Sequence, residues 1–378
     1  MRIAINTRFL LPNKLEGIGW YTYEVTRRMV LNHPNDEFFF FFDRAFDQRF
    51  IFAKNVTPII LFPPARHPFL FVAWYEAALT NALRRYNCDV FWSPDNFLSL
   101  QTLTPTVLTV HDLAYKAYPE QVSFFVRQYY QYFTPRYLRK AKNILTVSQF
   151  VKEDIIRHFQ TDTEKITVAH NGSRTTFAPI DAKAQQTIRQ QFTQGDAYFL
   201  YVGAIQPRKN VLRLIQAFEL FKQQTQSAVK LVLVGRMAWG TLEVSQAIEQ
   251  SVFCKDIIHL GYVEQLEQLV ASALAVVYVS LFEGFGLPIL EAMCCDVPVI
   301  TSNTTSMPEV AGDAALLVNP HDVNALADAL KRIATNPELR QELIAKGRVQ
   351  RQRFDWDTTA EIVYAVITQT AKSAEHIY

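Results

Sequence analysis

The sequence predicts an α/β protein built of two doubly wound, parallel-sheet domains, and three observations carry that prediction. At 378 residues the chain exceeds what one hydrophobic core organises. Apolar residues make up 49% and charged residues 20%, enough material for two cores. Short apolar runs without polar alternation recur between amphipathic segments, as in strands covered by helices on both faces.

In chain order, the strand candidates of the first half are 2–6, 37–42, 56–61, 89–92, 106–110, 143–147 and 165–169. Those of the second half are 198–203, 230–235, 257–260, 275–280, 297–301 and 315–318. The phenylalanine run at 38–42 fits a buried strand, since β propensity is high and no polar residue interrupts it. Helical patterns lie between the strands; Val211, Leu214, Ile215 and Phe218, for example, share one helix face. Residues 178–197 are polar and poor in strand formers. They read as a linker between an N-terminal domain (1–177) and a C-terminal domain (198–355), with a terminal helix (356–378) packing back towards the first.

The net charge of +2 does not suit a protein that coats nucleic acid. Cys88, Cys254, Cys294 and Cys295 have neither metal-ligand spacing nor the pattern of a disulfide framework, which fits a reducing cytoplasm. The N-terminus enters a strand pattern without a signal-peptide apolar region. The uncharged run 268–282 is too short for a bilayer span.

Open parallel sheets bind ligands beyond the carboxyl ends of their strands, so the loops there carry the chemistry. In YVGAIQPRKNVLRLIQAF a strand ends at Gly203, Pro207 stiffens the turn, and Arg208 and Lys209 precede Asn210, a candidate N-cap. Two cations at a helix N-terminus make an anion site; a solvated basic pair is the plainer reading. The loop is no Walker motif, because the second glycine and the hydroxyl residue after the lysine are missing. In LFEGFGLPILEAM, Glu283 opens a loop whose Gly284 and Gly286 allow close backbone approach, Pro288 suits a first helical turn, and Glu291 falls one turn into the helix. Two carboxylates around a backbone N–H cradle suit a ligand that is part diol and part phosphate. A nucleotide sugar is such a ligand.

EGFGLPILEAM, followed by PVITS and MPEVAGDAALLVNPHD, resembles the signature of glycosyltransferase family 4, retaining enzymes of the GT-B fold. QPRKN is similar to the family's basic diphosphate loop, His111-Asp112-Leu113 to its histidine motif, and GIGWYT (17–22) to its N-terminal glycine loop. The resemblance spans nearly the whole chain in order. It implies two Rossmann-like domains facing a cleft, a nucleoside-diphosphate sugar as co-substrate with no further cofactor, and a glycan or lipid-linked acceptor. It also implies cell-surface polysaccharide synthesis with a mannosyl-type donor, and no metal. Glu283 would hold donor-sugar hydroxyls and Glu291 the ribose. Backbone N–H groups of Gly284, Phe285, Gly286 and Leu287 would face sugar and phosphate, while Arg208 and Lys209 would stabilise the leaving diphosphate. Gly17 and Gly19 would bring N–H groups to the phosphate on closure. His111 would contact the donor sugar; read alone, it also fits a loop histidine capping local structure. No general base is named, because the family assigns that task to the leaving phosphate. Asp296 stands where the family has glycine, which puts the local turn in question.

Two rivals bear weighing. A nicotinamide-dependent oxidoreductase would use Gly17-Ile18-Gly19 and Asp43, yet Thr22 replaces the third glycine and about ten residues separate strand and motif. A non-catalytic nucleotide-sugar-binding module would keep the fold and lose the chemistry. The metal-binding reading of Asp355-Trp356-Asp357 competes with a helix cap at Asp357. The Asn171 and Asn303 sequons read as turns, and His158, His170 and His259 as structural. Residues 121–152 hold six basic and no acidic side chains, interleaved with Phe124, Phe125, Tyr129, Tyr130, Tyr132, Phe133 and Tyr137. They fit either an amphipathic helix with a core-facing aromatic side, or a surface that docks peripherally on the anionic inner membrane face or on a lipid-diphosphate acceptor.

Overall fold

The computed structural model describes residues 1–12, 15–66 and 68–375. It separates into two compact units, one formed by Met1–Asn171 with the segment from Trp356 onward, the other by Gly172–Asp355. In the first unit the strands are β1 (Arg2–Asn6), β2 (Glu37–Phe42), β3 (Val56–Ile60), β4 (Val90–Ser93), β5 (Thr106–Val110), β6 (Asn143–Thr146) and β7 (Ile166–Val168). They form one parallel sheet in the order β3-β2-β1-β4-β5-β6-β7. The register pairs Arg2–Asn6 with Glu37–Phe41, so the phenylalanine strand lies inside the sheet with Phe38–Phe42 all buried.

The second unit holds β8 (Tyr198–Val202), β9 (Lys230–Val234), β10 (Ile257–Gly261), β11 (Ala275–Tyr278), β12 (Val299–Ser302) and β13 (Ala315–Val318). Their order is β10-β9-β8-β11-β12-β13, again parallel throughout. In both sheets the strand order reverses beside the first strand, between β1 and β4 and between β8 and β11. The loops leaving each such pair diverge and open a crevice at the carboxyl edge. All thirteen expected strands form, with ends shifted by a residue or two.

The stretch read as a linker is largely ordered. Residues Ala182–Thr193 form a helix capped by the Asp181 side chain, which accepts from the Ala184 N–H. Gln185 and Arg189 donate to the carbonyls of Ala271 and Ser272, and Ile188 is buried, so this helix belongs to the second unit. Ile188 and Phe192 are the only large apolar side chains in an otherwise polar helix, which explains why composition concealed it. The helix Trp356–Glu375 lies against the first unit's helix Gly17–Asn32. Arg28 donates to Asp357 at 2.5 Å, Tyr364 donates to Asp36 at 2.6 Å, and the Tyr364 and His33 rings stack at 3.4 Å. Asp357 therefore sits inside the first helical turn as an ion-pair partner, and not as the cap.

The turn at Asp296 closes the helix that carries Glu291. Asp296 takes φ +55°, the left-handed conformation glycine adopts freely. Val297 N–H reaches back to the Ala292 carbonyl and Asp296 N–H to that of Met293, the bond pair of a Schellman C-cap. Arg351 donates to the carbonyls of Met293 and Cys294 and to the Asp296 carboxylate, while Arg348 grips the same carboxylate in a two-point contact. The turn keeps its geometry because Arg348 and Arg351 hold the carboxylate of the residue that takes the left-handed conformation. Asp296→Ala loses these partners while keeping the left-handed requirement, and should lower unfolding stability by about 1–3 kcal/mol; Asp296→Gly should cost less. Chemical denaturation of the three proteins checks this, and equal midpoints would refute it.

Candidate active site

At the crevice between β8 and β11 the chain concentrates charge. After β8, Pro207–Lys209 form a single 3₁₀ turn, and the helix Val211–Thr225 begins two residues beyond it. After β11, Leu281 N–H donates to the Arg208 carbonyl at 2.8 Å, fastening the two loops together. Lys209 Nζ donates to Glu283 Oε1 at 2.6 Å and to the Tyr278 hydroxyl at 2.7 Å. Arg208 donates to Glu283 Oε2 at 3.3 Å and to the Phe282 carbonyl at 2.5 Å. Burial alone would raise the Glu283 carboxyl, but the charges of Lys209 and Arg208 override it and hold the group at about 2. Glu283, expected to face sugar hydroxyls, is thus already engaged by the two cations. The three charges leave one net positive charge beside a helix N-terminus, which still favours an anion.

Asn210 stands at the N-cap position with φ +62°, yet its side chain does not cap the helix. Its amide instead donates to the carbonyls of Val279 and Pro320, tying the ends of β11 and β13 to the cationic loop. Gly286 has φ +108°, which a side chain resists, so the glycine is needed where the loop turns into the helix Leu287–Cys294. Gly284 and Phe285 are buried, and the Phe285 ring packs edge-on against Phe354 at 5.6 Å between centroids. Ser306 donates to the carbonyls of Glu283 and Phe285, fixing the loop between them. Phe285 is therefore a core anchor whose side chain serves the fold.

Glu291 lies in that helix with its carboxylate 3.6 Å from the Arg174 guanidinium, which also meets Glu267 at 3.2 Å. Burial pushes the Glu291 carboxyl up to about 7, against the opposing pull of Arg174. Arg174 was not anticipated. The only sequence signal is its place six residues after β7, and nothing in that spacing points to Glu291.

In the first unit, Gly17 and Gly19 occupy the first turn of the helix Gly17–Asn32, where the expected loop would be. Their N–H groups belong to a helix N-terminus, which still serves anion binding. Gly19 is buried, and a Cβ there would come within 2.8 Å of the Phe9 carbonyl oxygen; Gly17 is exposed with no described residue in reach. Gly19 is thus required by packing, and Gly17 is open to a ligand. One half-turn on, the Tyr21 ring meets His111 edge-on at 4.9 Å. His111 follows β5. Its Nε2–H donates to the Pro94 carbonyl at 2.7 Å, and burial lowers its pKa, so the ring is a neutral imidazole. At the β1–β4 crevice Arg8 donates to the buried Asp95 at 2.8 Å, beside Tyr75 and Asn6. Sequence reasoning passed over this pair, although both residues end strands and the carboxyl-edge rule would have found them. Asp43, the acid the oxidoreductase reading needs, is buried in a two-point pair with Arg44 and does not present itself to a ribose.

Comparison with known proteins now decides the family. The profile of the "Glycosyl transferases group 1" matches residues 183–350 and that of "Glycosyltransferase Family 4" matches residues 15–177. The chain is 32% identical over 356 residues to the O-antigen chain mannosyltransferase B of Escherichia coli, covering 91% of this chain and 93% of that one. The chain belongs to glycosyltransferase family 4, group 1. It is also 30% identical over 272 residues to the O-antigen chain mannosyltransferase RfbU of Salmonella typhimurium, covering 70% of each. Among solved structures, this glycosyltransferase shares its fold with WaaG, a glycosyltransferase involved in lipopolysaccharide biosynthesis (TM-score 0.78, 16% identity, 97% of this chain and 99% of that one). It shares it as well with HepE of Anabaena, solved with UDP and glucose (TM-score 0.75, 18% identity, 97% and 99% covered). Both are GT-B proteins, and the parallel sheets described above are the two Rossmann-like halves of that fold.

A carboxylate that titrates near 7 gives this site a pH dependence. The folded state holds the Glu291 proton more tightly than the unfolded chain, so its stability contribution is full below the ordinary value of 4.5 and is lost as pH rises through about 7. An ionised carboxylate is an acceptor that suits the neighbouring hydroxyls of a diol, whereas the protonated group is not. Nucleoside-diphosphate affinity should therefore weaken several-fold from about pH 8 to about pH 6. Glu291→Gln should bind weakly at every pH and melt higher than the parent at about pH 8. Calorimetric titration and thermal unfolding check both; a parent-like pH profile in the variant would remove Glu291 from the site.

Proposed function

We propose that this glycosyltransferase moves a mannosyl-type sugar, with retention, from a nucleoside diphosphate to a glycan or lipid-linked acceptor in cell-surface polysaccharide synthesis. The observation that carries the reading is the Arg208–Lys209–Glu283 cluster at the β8–β11 crevice, with Glu291 one helical turn beyond the same loop. Two relatives named as O-antigen chain mannosyltransferases support the choice of sugar and pathway class.

In this reading the diphosphate seats on Arg208, Lys209 and the N–H groups at the start of the helix Val211–Thr225. Glu283 holds both cations in fixed positions before the ligand arrives, so little reorganisation is needed as charge develops. The bond from the sugar's anomeric carbon to the β-phosphate oxygen breaks, and its electron pair stays on the phosphate. The acceptor oxygen bonds to the same face of that carbon, and its proton passes to the departing phosphate. Glu291 takes the ribose hydroxyls. His111, Gly17 and Gly19 contribute from the first unit as the family pattern assigns them. The charge demanded at the leaving group comes from side chains, so the reaction needs no divalent ion.

Arg208→Ala and Lys209→Ala should each lower kcat by about 10² or more. Activity should survive excess EDTA, and the product should keep the donor's anomeric configuration. A rise in KM at constant kcat would reduce the two residues to binding roles. Loss of transfer in EDTA, restored by Mn²⁺, would overturn the metal-free reading.

No helix among the described residues is long and apolar enough to cross a membrane. The helix Phe124–Lys140 divides the expected aromatic stretch between two roles. Tyr129, Tyr130, Phe133 and Tyr137 pack inward on one another and on Phe97. Phe124, Phe125, Val126 and Tyr132 are exposed, at 60%, 83%, 44% and 54%. Together with Arg136, Arg139 and Lys140 they suit peripheral docking on an anionic membrane. Phe124→Ser with Phe125→Ser should abolish co-sedimentation with phosphatidylglycerol vesicles, and parent protein should not sediment with phosphatidylcholine. Equal sedimentation of parent and variant would remove this face from the interaction.

A further inference from the structure

A cleft of about 250 Å³ lies within the second unit at the amino edge of its sheet, where the chain enters β11 and β12. The helix Ala182–Thr193 contributes Gln185 and Arg189 to its lining, and the helix Pro337–Gln350 contributes Arg340, Gln341 and Ile344. Asp296, in the turn before β12, lines it as well. The whole length of β11 separates this cleft from Glu283 and the cationic loop, so it is no part of the crevice at the carboxyl edge.

Two of its cations have no acid to meet. Arg189 donates through Nε to the Ser272 carbonyl at 2.9 Å. Arg340 donates through one terminal nitrogen to the carbonyls of Ile333 and Ala334, at 2.6 and 3.4 Å. A guanidinium carries five N–H donors, and among the described residues neither of these two forms an ion pair. Both side chains are half-buried, and the carbonyl bonds hold their heads in place. The one carboxylate of the lining, Asp296, already meets Arg348 at 2.7 Å and Arg351 at 3.1 Å. The charge of Arg189 and Arg340 is thus left uncompensated.

The lining selects a ligand class. Guanidinium forks match the paired oxygens of a phosphate, and such charge-assisted bonds are the strong ones. A neutral sugar would leave both charges unmatched. Gln185 and Gln341 add amide groups that suit hydroxyls, and Ile344 adds an apolar wall. The volume equals that of about eight waters at about 30 Å³ each, which admits a phosphate with a small hydroxylated body attached.

We propose that this cleft is a second ligand site, apart from the nucleotide crevice, for a soluble phosphate monoester that bears hydroxyls, such as a hexose phosphate. Arg189 and Arg340 hold the phosphate, and the two glutamines meet the hydroxyls. The probe is D-mannose 6-phosphate, titrated calorimetrically into the full chain. Gln341 is exposed on its helix, so its charge can be changed without disturbing the core, and unchanged thermal midpoints without ligand check this. The parent should bind saturably; Gln341→Glu and Arg340→Gln should each weaken binding about tenfold, and Gln341→Lys should strengthen it about threefold. Inorganic phosphate, which lacks the hydroxylated body, should bind about fivefold more weakly than the ester. No binding by the parent, or an affinity that none of the three variants moves, would overturn the proposal. Equal affinity for inorganic phosphate would overturn the ester as the ligand. A phosphorylated lipid headgroup shares this chemistry, so co-sedimentation with phosphatidic acid vesicles is measured in parallel. Sedimentation that Gln341→Glu abolishes and Gln341→Lys strengthens would overturn the soluble ligand in favour of the lipid.

Discussion

The second unit depends on one buried carboxylate. Glu283 sits 7% exposed where the loops of β8 and β11 diverge, and it is stable there only because Lys209 and Arg208 meet both of its oxygens. A lone charge so placed would be strongly unfavourable, and so would two uncompensated cations. The triad therefore locks together the two loops that the sheet topology drives apart. Asn210, the Leu281 N–H and Ser306 reinforce the lock from three directions. What results is a rigid concavity with one net positive charge, its groups already held in place by one another.

Glu291 follows the opposite logic. Its burial outweighs the help of Arg174, so above neutral pH the protein carries an ionised carboxylate that the fold would prefer protonated. Such a group is held short of full compensation, and a diol ligand can supply what is missing. Arg174 reaches the carboxylate from a segment outside the glycine loop and also meets Glu267, so the two acids share this cation. Stability is given up at Glu291 and retained at Glu283, although the two acids lie eight positions apart on one continuous stretch.

The first unit organises itself around aromatic contacts. Tyr21 touches Trp92, His111 and Trp356, and so joins the helix with the paired glycines, the β4 and β5 strands, and the C-terminal helix. Thr109 completes the arrangement by accepting from the Trp92 indole N–H at 2.9 Å. His111 is thereby held as a neutral ring with a fixed tautomer, its Nε2 committed to a backbone carbonyl. The glycines that looked like a loop became a helix N-terminus, which offers the same N–H groups in a stiffer frame.

By itself the sequence determined the strand succession, the doubly wound class and the two loops that carry charge. These follow from local apolar runs and from the rule that ligands gather at carboxyl edges, both readable over a dozen residues. The spacing of Glu283 and Glu291 likewise placed one acid on a loop and one on a helix. Only the tertiary structure decided which groups share a field. Glu283 and Lys209 are 74 positions apart, and Arg174 and Glu291 meet across more than a hundred. Whether a carboxylate is pinned at low pKa or lifted to neutrality depends on burial and on the nearest cation, and neither is a property of local sequence. The helix Ala182–Thr193 escaped notice for the same reason, because its carbonyl partners at Ala271 and Ser272 lie far along the chain. Asp296 could be recognised as a departure but not judged, since Arg348 and Arg351, the residues that make it tolerable, are supplied by a different helix and the turn after it.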